Sequence, residues 1–198
     1  GKSIGEVCIY NLDGKLTKRL DVDYVVYSIF EDDAHNIWLG TRYDGVVLLS
    51  EKINGSFDIY HYTAGEDVGT LSHDYVYGIS QDSNGRMWLA TLGGGINIVE
   101  NGYEVDKLRF YVPEKYPLKD HSRTRAILES DGYMLIGSDN GMLRAKVETA
   151  TDKMTFEDCF RSGNDITQPA TELIHIYKTK SGIVLVSSYG KGIHQYDV

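Results

Sequence analysis

The chain has 198 residues, of which 41% are hydrophobic, and 20 Lys and Arg against 29 Asp and Glu give it a formal net charge of −9. This acidic balance argues against a broad surface for nucleic acids or anionic membranes. No stretch of the sequence approaches 18 consecutive apolar residues, so no transmembrane helix is predicted.

Two short strands are predicted first, at residues 6–10 and 15–20. After them one pattern occurs four times, with its copies starting at Val26, Val76, Thr124 and Leu173. Steps of 50, 48 and 49 residues separate the equivalent isoleucines of the four copies: Ile29, Ile79, Ile127 and Ile176. A repeat of this length indicates a fold assembled from copies of one supersecondary unit.

Each copy has the same internal order. Alternating apolar residues, such as residues 26–30, predict a first strand, and small or positive-φ turn residues lead into a second strand such as residues 37–41. Glycines open a third strand, where the missing Cβ allows a bend or a close approach: Gly45, Gly95, Gly141 and Gly192. A more variable fourth strand is predicted at residues 57–62, 108–112 and 154–160.

Units of four antiparallel strands, repeated about every 49 residues without helical periodicity, are typical of β-propeller blades. We therefore predict an all-β fold, a partial β-propeller, with a solenoid of stacked helical repeats as the weaker alternative. Residues 1–198 would form one propeller segment. Its predicted parts are the end of a preceding blade (5–21), three blades (22–62, 72–113 and 121–160) and an incomplete blade (171–198).

The pattern begins and ends out of phase, which leaves two arrangements open. The strand at residues 15–20 could complete the last blade and close a small ring. Alternatively, the chain could form an open arc with an apolar blade face at each end, and such faces favour self-association.

Two positions of the repeat predict buried structure. Trp38 and Trp88 align with Leu135 and Leu185, which indicates an apolar packing position, so both indoles are expected in the core. Small residues share a second position, which indicates crowding near a central channel: Ser28, Gly78 and Ala126, with His175 as the fourth member.

The residues give no pattern for catalysis, a metal or a cofactor, and we expect none of these in this segment. The glycines at 93–95 are interpreted as a turn, because no helix follows that could hold a phosphate. The six histidines lack zinc-site spacing, and Asp32, Asp33 and Asp82 suit acceptors for turn amides better than a calcium loop. Cys8 and Cys159 fall in different blades, where a disulfide is possible but free thiols are favoured.

Propeller geometry places the loops that enter the first strands and leave the second strands at one mouth of the channel. These loops are rich in Tyr, Arg, His and Asp, a mixture that suits a polar, carbohydrate-like ligand. The candidate ligand-binding residues are Tyr24, Arg42, Tyr43, Asp44, His73, Tyr75, His121, Arg123, Tyr189 and Lys191.

The string I-x-x-D-x-x-x-x-I-W-L-G-T-x-x-x-G in the first copy, with a near-twin in the second, resembles the two-component-regulator propeller repeat. The third and fourth copies depart from it, with Leu135 and Leu185 in place of tryptophan and Ser138 and Ser188 in place of threonine. That repeat builds the extracytoplasmic sensor region of hybrid two-component proteins in Bacteroides-type bacteria. The resemblance implies a periplasmic module that detects a ligand, commonly a carbohydrate fragment, and signals through a membrane helix to a kinase.

Three functions remain open at this point. The first is a non-catalytic sensor module. The second is an enzyme resembling the streptogramin-inactivating propeller lyases, in which His73 and His121 would act with a metal. The third is a protein-interaction scaffold that uses the rim or the blade ends.

Overall fold

A computed structural model describes residues 5–160 and 172–196. The strands of the first half are β1 (Gly5–Tyr10), β2 (Leu16–Val22), β3 (Val26–Glu31), β4 (Ile37–Thr41), β5 (Val46–Glu51), β6 (Phe57–Tyr62), β7 (Val76–Gln81), β8 (Met87–Thr91) and β9 (Gly95–Val99). Those of the second half are β10 (Thr124–Ser130), β11 (Tyr133–Ser138), β12 (Gly141–Lys146), β13 (Glu157–Phe160), β14 (Leu173–Lys178), β15 (Val184–Ser188) and β16 (Gly192–Tyr196). A short helix α1 (Leu118–His121) and a 3₁₀ turn (Thr151–Lys153) complete the described elements.

The strands form five antiparallel sheets in which chain neighbours are also hydrogen-bonded neighbours. We call them sheet A (β1–β2), sheet B (β3–β6), sheet C (β7–β9), sheet D (β10–β13) and sheet E (β14–β16). This up-and-down order, repeated sheet after sheet, is that of propeller blades. The predicted all-β propeller fold is therefore confirmed, and the longest described helix, with four residues, is too short to cross a bilayer.

The hydrophobic core lies between consecutive sheets, with one buried cluster at each of the four interfaces. Val7 and Val22 of sheet A pack on Leu39 and Leu49 of sheet B. The same arrangement joins B to C, C to D and D to E. The innermost strands follow one another in space, because β3 contacts β7, β7 contacts β10, and β10 contacts β14. The sheets thus stack face to face, with their first strands on the inside of the arc. Each sheet buries its apolar face only against a neighbouring sheet.

The two tryptophans occupy these interfaces as predicted. Trp38 and Trp88 are both fully buried, Trp38 between sheets B and C and Trp88 between sheets C and D. Leu135, which aligns with them in sheet D, is also fully buried. The position is therefore an apolar packing site, with room for an indole in two of the copies.

A buried aspartate ties each tryptophan to its hairpin turn. Trp38 Nε1 donates to Asp32 Oδ2 at 2.7 Å, while the backbone N–H of Asn36 donates to Asp32 Oδ1 at 2.9 Å. Burial raises the pKa of Asp32, but hydrogen bonds from Tyr103, Trp38 and Asn36 outweigh burial and hold the pKa below its usual value. The predicted role as an acceptor for turn amides is confirmed for Asp32 and for Asp82, whose Oδ1 accepts the N–H groups of Asn84 and Arg86. Asp33 is exposed, and its role stays a prediction.

The fourth strand of sheet C differs from the prediction. Of residues 108–112, only Tyr111 pairs with β9, through two backbone bonds to Ile98. Pro113 follows two residues later and has no N–H to extend a ladder, and the Phe110 N–H donates instead to Gly69 O at 2.9 Å. In sheet D the fourth strand begins at Glu157 rather than at residue 154, because Met154 is buried beside the 3₁₀ turn.

Ring closure by the N-terminal strand is not found. β2 pairs with β1, and the resulting sheet A packs on sheet B, while sheet E contains β14, β15 and β16 as its described strands. The described residues thus form an open arc. The two cysteines are free and partly buried, Cys8 in sheet A and Cys159 in sheet D.

Candidate functional site

One backbone hydrogen bond recurs in sheets B to E and joins the loop that leaves the second strand to the loop that enters the first. The four bonds are Arg42 N to Val25 O (3.0 Å), Leu92 N to Tyr75 O (3.0 Å), Asp139 N to Arg123 O (3.1 Å) and Tyr189 N to Glu172 O (3.0 Å). Both loops of each sheet therefore lie at the same end of the arc, as propeller geometry predicts. We call this end the channel mouth.

Hydrogen bonds also connect the loops of neighbouring sheets at the channel mouth. The Gly45 N–H donates to Asp74 O at 2.8 Å, and the N–H groups of Gly93 and Gly95 both donate to Ser122 O, at 2.9 and 2.7 Å. Gly45 has φ +69°, and a Cβ there would lie 2.1 Å from Tyr62 O. The leaving loops of sheets B and C are therefore fixed in position. Gly93 and the residue after it form the predicted turn, and Gly95 opens strand β9.

The threonine of the repeat motif explains the shape of each leaving loop. Thr41 Oγ1 donates to Gly45 O at 2.8 Å and accepts the Asp44 N–H at 3.0 Å. Thr91 makes the equivalent bond to Gly95 O at 2.9 Å. In sheet D, Ser138 Oγ donates to Gly141 O at 3.0 Å. A hydroxyl at this position therefore closes the turn in sheets B, C and D, and serine does so in sheet D. The equivalent Ser188 of sheet E has a buried Oγ without a hydrogen-bond partner.

Every innermost strand shifts register at its second residue. The pairing of β3 with β4 passes from Val26 to Ser28 and skips Tyr27, and the other three sheets show the same shift. The skipped residues are Tyr27, Tyr77, Arg125 and Ile174. A β-bulge of this kind re-aims a side chain out of the regular alternation of the strand. The bulges therefore set four equivalent side chains apart from the sheets, near the channel mouth.

Four tyrosines meet at the bulges of sheets B and C, and we call them the tyrosine cluster: Tyr27, Tyr43, Tyr75 and Tyr77. The rings of Tyr27 and Tyr77 are stacked, with centroids 5.5 Å apart and planes 23° apart. Tyr75 lies 5.4 Å from Tyr27 and 5.5 Å from Tyr43, centroid to centroid. Arg42 lies over the ring of Tyr43 at 5.1 Å. Tyr27 and Tyr43 remain 43% and 65% exposed, so the cluster presents aromatic surface to solvent.

The surroundings of Tyr75 affect its ionisation. Burial, followed by a hydrogen bond with Tyr27, raises the pKa of Tyr75 to about 12. Its hydroxyl therefore stays protonated at neutral pH. Tyr75 consequently offers a neutral O–H group, and the cluster offers ring faces to a ligand, with Arg42 as an adjacent cation.

A cavity of about 280 Å³ adjoins the tyrosine cluster between the inner strands. It is lined by three consecutive residues of each strand: Tyr27, Ser28, Ile29, Tyr77, Gly78, Ile79, Arg125, Ala126, Ile127, Ile174, His175 and Ile176. The predicted channel position, shared by Ser28, Gly78, Ala126 and His175, is therefore confirmed. Arg125, only 9% exposed, lies 2.7 Å from Glu172 Oε1 through its Nη2 atom.

The structure brings three of the predicted site residues to this cluster: Arg42, Tyr43 and Tyr75. Tyr24 instead contacts His61, which in turn bonds to the backbone oxygen of Asp44. The remaining predicted residues of sheets D and E lie apart from the cluster, with Arg123 paired to Asp139 at 3.2 Å and with Tyr189 and Lys191 exposed. These residues stay predictions as ligand contacts.

The two histidines of the lyase alternative both make local structural contacts. His73 Nδ1 accepts the Tyr75 N–H at 3.0 Å, and the His73 ring packs against Gly93. His121 is buried, with Nδ1 at 2.7 Å from Ser138 Oγ and Nε2 at 3.4 Å from Asp158. Within residues 5–160 and 172–196, no group of three or more His, Cys, Asp or Glu side chains could hold a metal ion.

Sequence reasoning missed Tyr27, Tyr77 and Arg125, because it assigned the ligand surface to loops and these residues lie within strands. Their signal was present in the repeat, since the three residues and Ile174 immediately precede the small channel position in each copy. This position of the repeat therefore holds two tyrosines and an arginine, and the position after it holds a small residue in three of the four copies. Large polar side chains at such a position of the first strand indicate that they are directed into the space between neighbouring sheets.

A larger groove lies between sheets A and B, near the β3–β4 turn. Its volume is about 550 Å³, and Lys18, His35 and Phe57 are among its lining residues. These groups are already engaged, since Lys18 lies over the Phe57 ring at 4.1 Å and His35 pairs with Glu31 at 2.7 Å. The cavity beside the tyrosine cluster is the better candidate, because it combines exposed aromatic faces with buried polar groups.

Burial of His121 predicts a pH-dependent stability. Burial lowers the pKa of His121 below its ordinary value of 6.5, against the opposing effect of Asp158, Asp120 and Asp139. Below about pH 6.5 the unfolded chain therefore binds a proton at this residue that the folded protein does not, so the free energy of unfolding should fall as the pH drops. Urea unfolding between pH 8 and pH 5 measures this dependence. The His121→Gln variant should show a shallower loss over this range, and an identical slope would contradict the assignment.

Comparison with known proteins agrees with the propeller fold. Residues 21–43 and 70–93 match the family described as two component regulator propeller. The extracellular domain of BT4673 from B. thetaiotaomicron, described as a hybrid two component system, superposes with a TM-score of 0.67 at 19% identity, over 98% of this chain and 26% of that one. The Cps50 (Swd1) β-propeller domain of Myceliophteria thermophila gives a TM-score of 0.68 at 16% identity, over 98% and 59% of the two chains.

A streptogramin B lyase structure gives a TM-score of 0.60 at 17% identity, over 98% of this chain and 62% of that one. No curated protein matches the chain. The chain spans about a quarter of the BT4673 domain and about three fifths of the other two propellers. At these identities the superpositions establish the fold, whereas the family match rests on the repeat motif in sheets B and C. The chain is thus a segment of β-propeller that carries the two component regulator propeller repeat.

Proposed function

We propose that this segment is a non-catalytic, ligand-sensing module of a hybrid two-component sensor and that it binds a carbohydrate at the tyrosine cluster. The observation that carries the proposal is the convergence of Tyr27, Tyr43, Tyr75 and Tyr77 beside a cavity at the channel mouth. The match to the two component regulator propeller repeat supports the sensing role.

The chemistry of the cluster suits a sugar. Aromatic faces pack against the C–H faces of a pyranose ring, while tyrosine hydroxyls and an arginine supply hydrogen bonds to its hydroxyl groups. Tyr27 and Tyr43 expose their rings, Tyr75 keeps its proton, and Arg42 stands at the edge of the cluster. Ligand sites of this kind combine a largely apolar lining with a few placed polar groups.

The position of the cluster suits a sensor. Tyr27 and Tyr43 belong to sheet B and its leaving loop, whereas Tyr75 and Tyr77 belong to the entering loop and first strand of sheet C. A ligand on the cluster would therefore contact two blades and favour one relative arrangement of them, which is the differential contact that a binding signal requires. In the proposal this bias passes from a periplasmic propeller through a membrane helix to a kinase outside this segment.

Loss of ring stacking should weaken ligand binding without unfolding the chain. A ligand present at about 100 times its Kd should stabilise the native protein by about 2.7 kcal/mol, which a thermal-shift screen of neutral and acidic oligosaccharides detects. We expect Tyr27→Ala and Tyr77→Ala each to reduce that shift by more than half, because either change removes one of the two stacked rings.

Tyr10→Ala is the matched control for these variants, since Tyr10 is 58% exposed on β1 in sheet A. It should leave the ligand-induced shift unchanged. A glycan that stabilises the Tyr27 and Tyr77 variants as much as the parent protein would refute the tyrosine cluster as its site. A complete screen without any shift would favour the scaffold function instead.

A further inference from the structure

Two buried polar atoms beside the tyrosine cluster have no hydrogen-bond partner. They are Arg125 Nη1 and Ser28 Oγ, and both residues line the cavity of about 280 Å³. Buried polar groups in native proteins are almost always hydrogen-bonded, and leaving one unpaired is costly. Two such atoms at one cavity therefore indicate that the cavity is completed by a polar partner.

The charge of the cavity selects the kind of partner. Of the twelve residues that line the cavity, Arg125 and His175 are the only basic ones, and none is acidic. Its side chain is only 9% exposed, and Glu172 Oε1 contacts it through Nη2 at 2.7 Å. The N–H groups of Nη1 are left for another acceptor. A planar guanidinium matches a carboxylate better than any other side chain does, and bonds to ionised groups are the strong ones.

The backbone fixes Arg125 against the tyrosine side of the cavity. Arg125 is the bulged residue of β10, as Tyr77 is of β7. The two strands approach closely at Gly78, where a Cβ would lie 2.5 Å from Arg125 O. A side chain at position 78 would push the strands apart, so this glycine keeps the guanidinium-bearing strand beside the stacked rings of Tyr27 and Tyr77.

We propose that the cavity binds the carboxylate of an acidic saccharide, with Arg125 Nη1 and Ser28 Oγ donating to its oxygens and the sugar ring lying against the tyrosine cluster. The cavity is at the small end of ligand pockets, which suits one uronic acid residue rather than a long chain. This inference rests on the proposed carbohydrate function and deepens it, because it names the ligand class of the same site.

Glu172 should weaken the preference of the cavity for an acidic sugar over a neutral one. Its carboxylate already neutralises part of the Arg125 charge from the entering loop of sheet E, with its side chain 38% exposed. Glu172→Gln removes that competing charge and leaves a side chain of the same size. The variant should therefore bind an acidic ligand more tightly and a neutral one with unchanged affinity.

Titration calorimetry with glucuronate and glucose tests the inference, since the two sugars differ at one carbon that carries either a carboxylate or an alcohol. The parent protein should prefer glucuronate by about 10- to 100-fold, as expected for one hydrogen-bonded ion pair. Arg125→Gln should bring the ratio of the two affinities close to one, and Glu172→Gln should raise it. Thermal unfolding of each variant shows whether it is folded.

Equal binding of the two sugars by the parent protein would overturn the carboxylate inference and leave the proposed carbohydrate function standing. Failure of both sugars and of every glycan in the wider screen would overturn the carbohydrate function and the inference together. If Arg125→Gln does not fold, the Glu172→Gln variant decides the question, because an unchanged ratio of affinities in that variant would contradict a role for the Arg125 charge.

Discussion

Replacing Asp82 with alanine should lower the free energy of unfolding by about 3–5 kcal/mol, because it leaves the buried cation of Arg86 without a counter-charge. Arg86 Nε lies 2.7 Å from Asp82 Oδ2, and the two side chains are 5% and 0% exposed. Trp88 Nε1 also donates to Asp82 Oδ2 at 2.8 Å and would lose its acceptor. Urea denaturation followed by circular dichroism measures the loss.

The loss of stability should also involve sheet D, because the Arg86 side chain bonds to it. Its Nη2 donates to Val147 O at 2.6 Å and its Nη1 to Thr149 O at 2.9 Å, both beyond the end of β12 in sheet D. The Asp82–Arg86 pair thus links the hairpin turn of sheet C to the neighbouring sheet. Asp33→Ala is the control, since Asp33 is exposed in the equivalent turn of sheet B, and it should change stability by less than about 0.5 kcal/mol.

A double variant separates the charge from the lost contacts. If the penalty of Asp82→Ala arises from the unpaired guanidinium, then Asp82→Ala with Arg86→Met should be less unstable than the sum of the single losses, by about 1–3 kcal/mol. Additive single effects would contradict a buried charge as the cause.

Trp88→Ala should cost about 3–5 kcal/mol, because it opens a cavity in the interface between sheets C and D. The indole is fully buried and packs with Ile96 of sheet C and with Met134 and Ile136 of sheet D. Since the hydrophobic core lies at these interfaces between sheets, the variant should unfold at a distinctly lower urea concentration. Circular dichroism again provides the measurement.

Trp88→Leu should be milder than Trp88→Ala, because leucine occupies the equivalent buried position at Leu135. Val68→Ala removes apolar atoms from a side chain that is 90% exposed and should be nearly neutral. If Trp88→Leu lowered the stability as much as Trp88→Ala, then an indole would be needed at this position. The alignment of the two tryptophans with leucines would then be a poor guide to how the position packs.

These stability variants lie away from the proposed ligand site. Asp82 belongs to the turn between β7 and β8, and Trp88 to the interface between sheets C and D, whereas Tyr75 and Tyr77 of the tyrosine cluster lie at the opposite end of β7. A variant that lowers stability while the glycan-induced shift persists would show that folding and recognition are separable in this arc.

The repeat was the strongest signal in the sequence, and it predicted the fold because blade structure is local and periodic. Alternating residues gave the first strands, and turn residues placed the hairpins. The alignment of Trp38 and Trp88 with leucines identified the packing faces. The strands and hairpins depend on residues within about 20 positions of one another, where strand period and turn chemistry act directly, while the packing faces were read by comparing one copy with the next.

The fourth strand of sheet C marks the limit of that reasoning. Residues 108–112 have strand-like composition, yet only Tyr111 pairs with β9, since Pro113 stops the ladder and Phe110 bonds to Gly69. The backbone groups of residues 108–112 can bond either to β9 or to the distant loop that contains Gly69. The local sequence pattern does not show which of the two they bond to. Likewise, the sequence left ring closure and an open arc equally possible, and the pairing of β2 with β1 decided between them for the described residues.

By itself, then, the amino-acid sequence determined a propeller of stacked sheets, with its tryptophan core, its turn aspartates and a surface of polar loops at one end. Only the tertiary structure decided which side chains share that surface: it joined Tyr43 and Tyr75 to Tyr27 and Tyr77, buried His121, and put Arg125 beside the cavity. The physical reason is the bulge in each inner strand. One extra residue breaks the period-two alternation and turns a strand side chain toward neighbouring blades. There it meets residues about 50 positions away in the chain, as Tyr27 meets Tyr77.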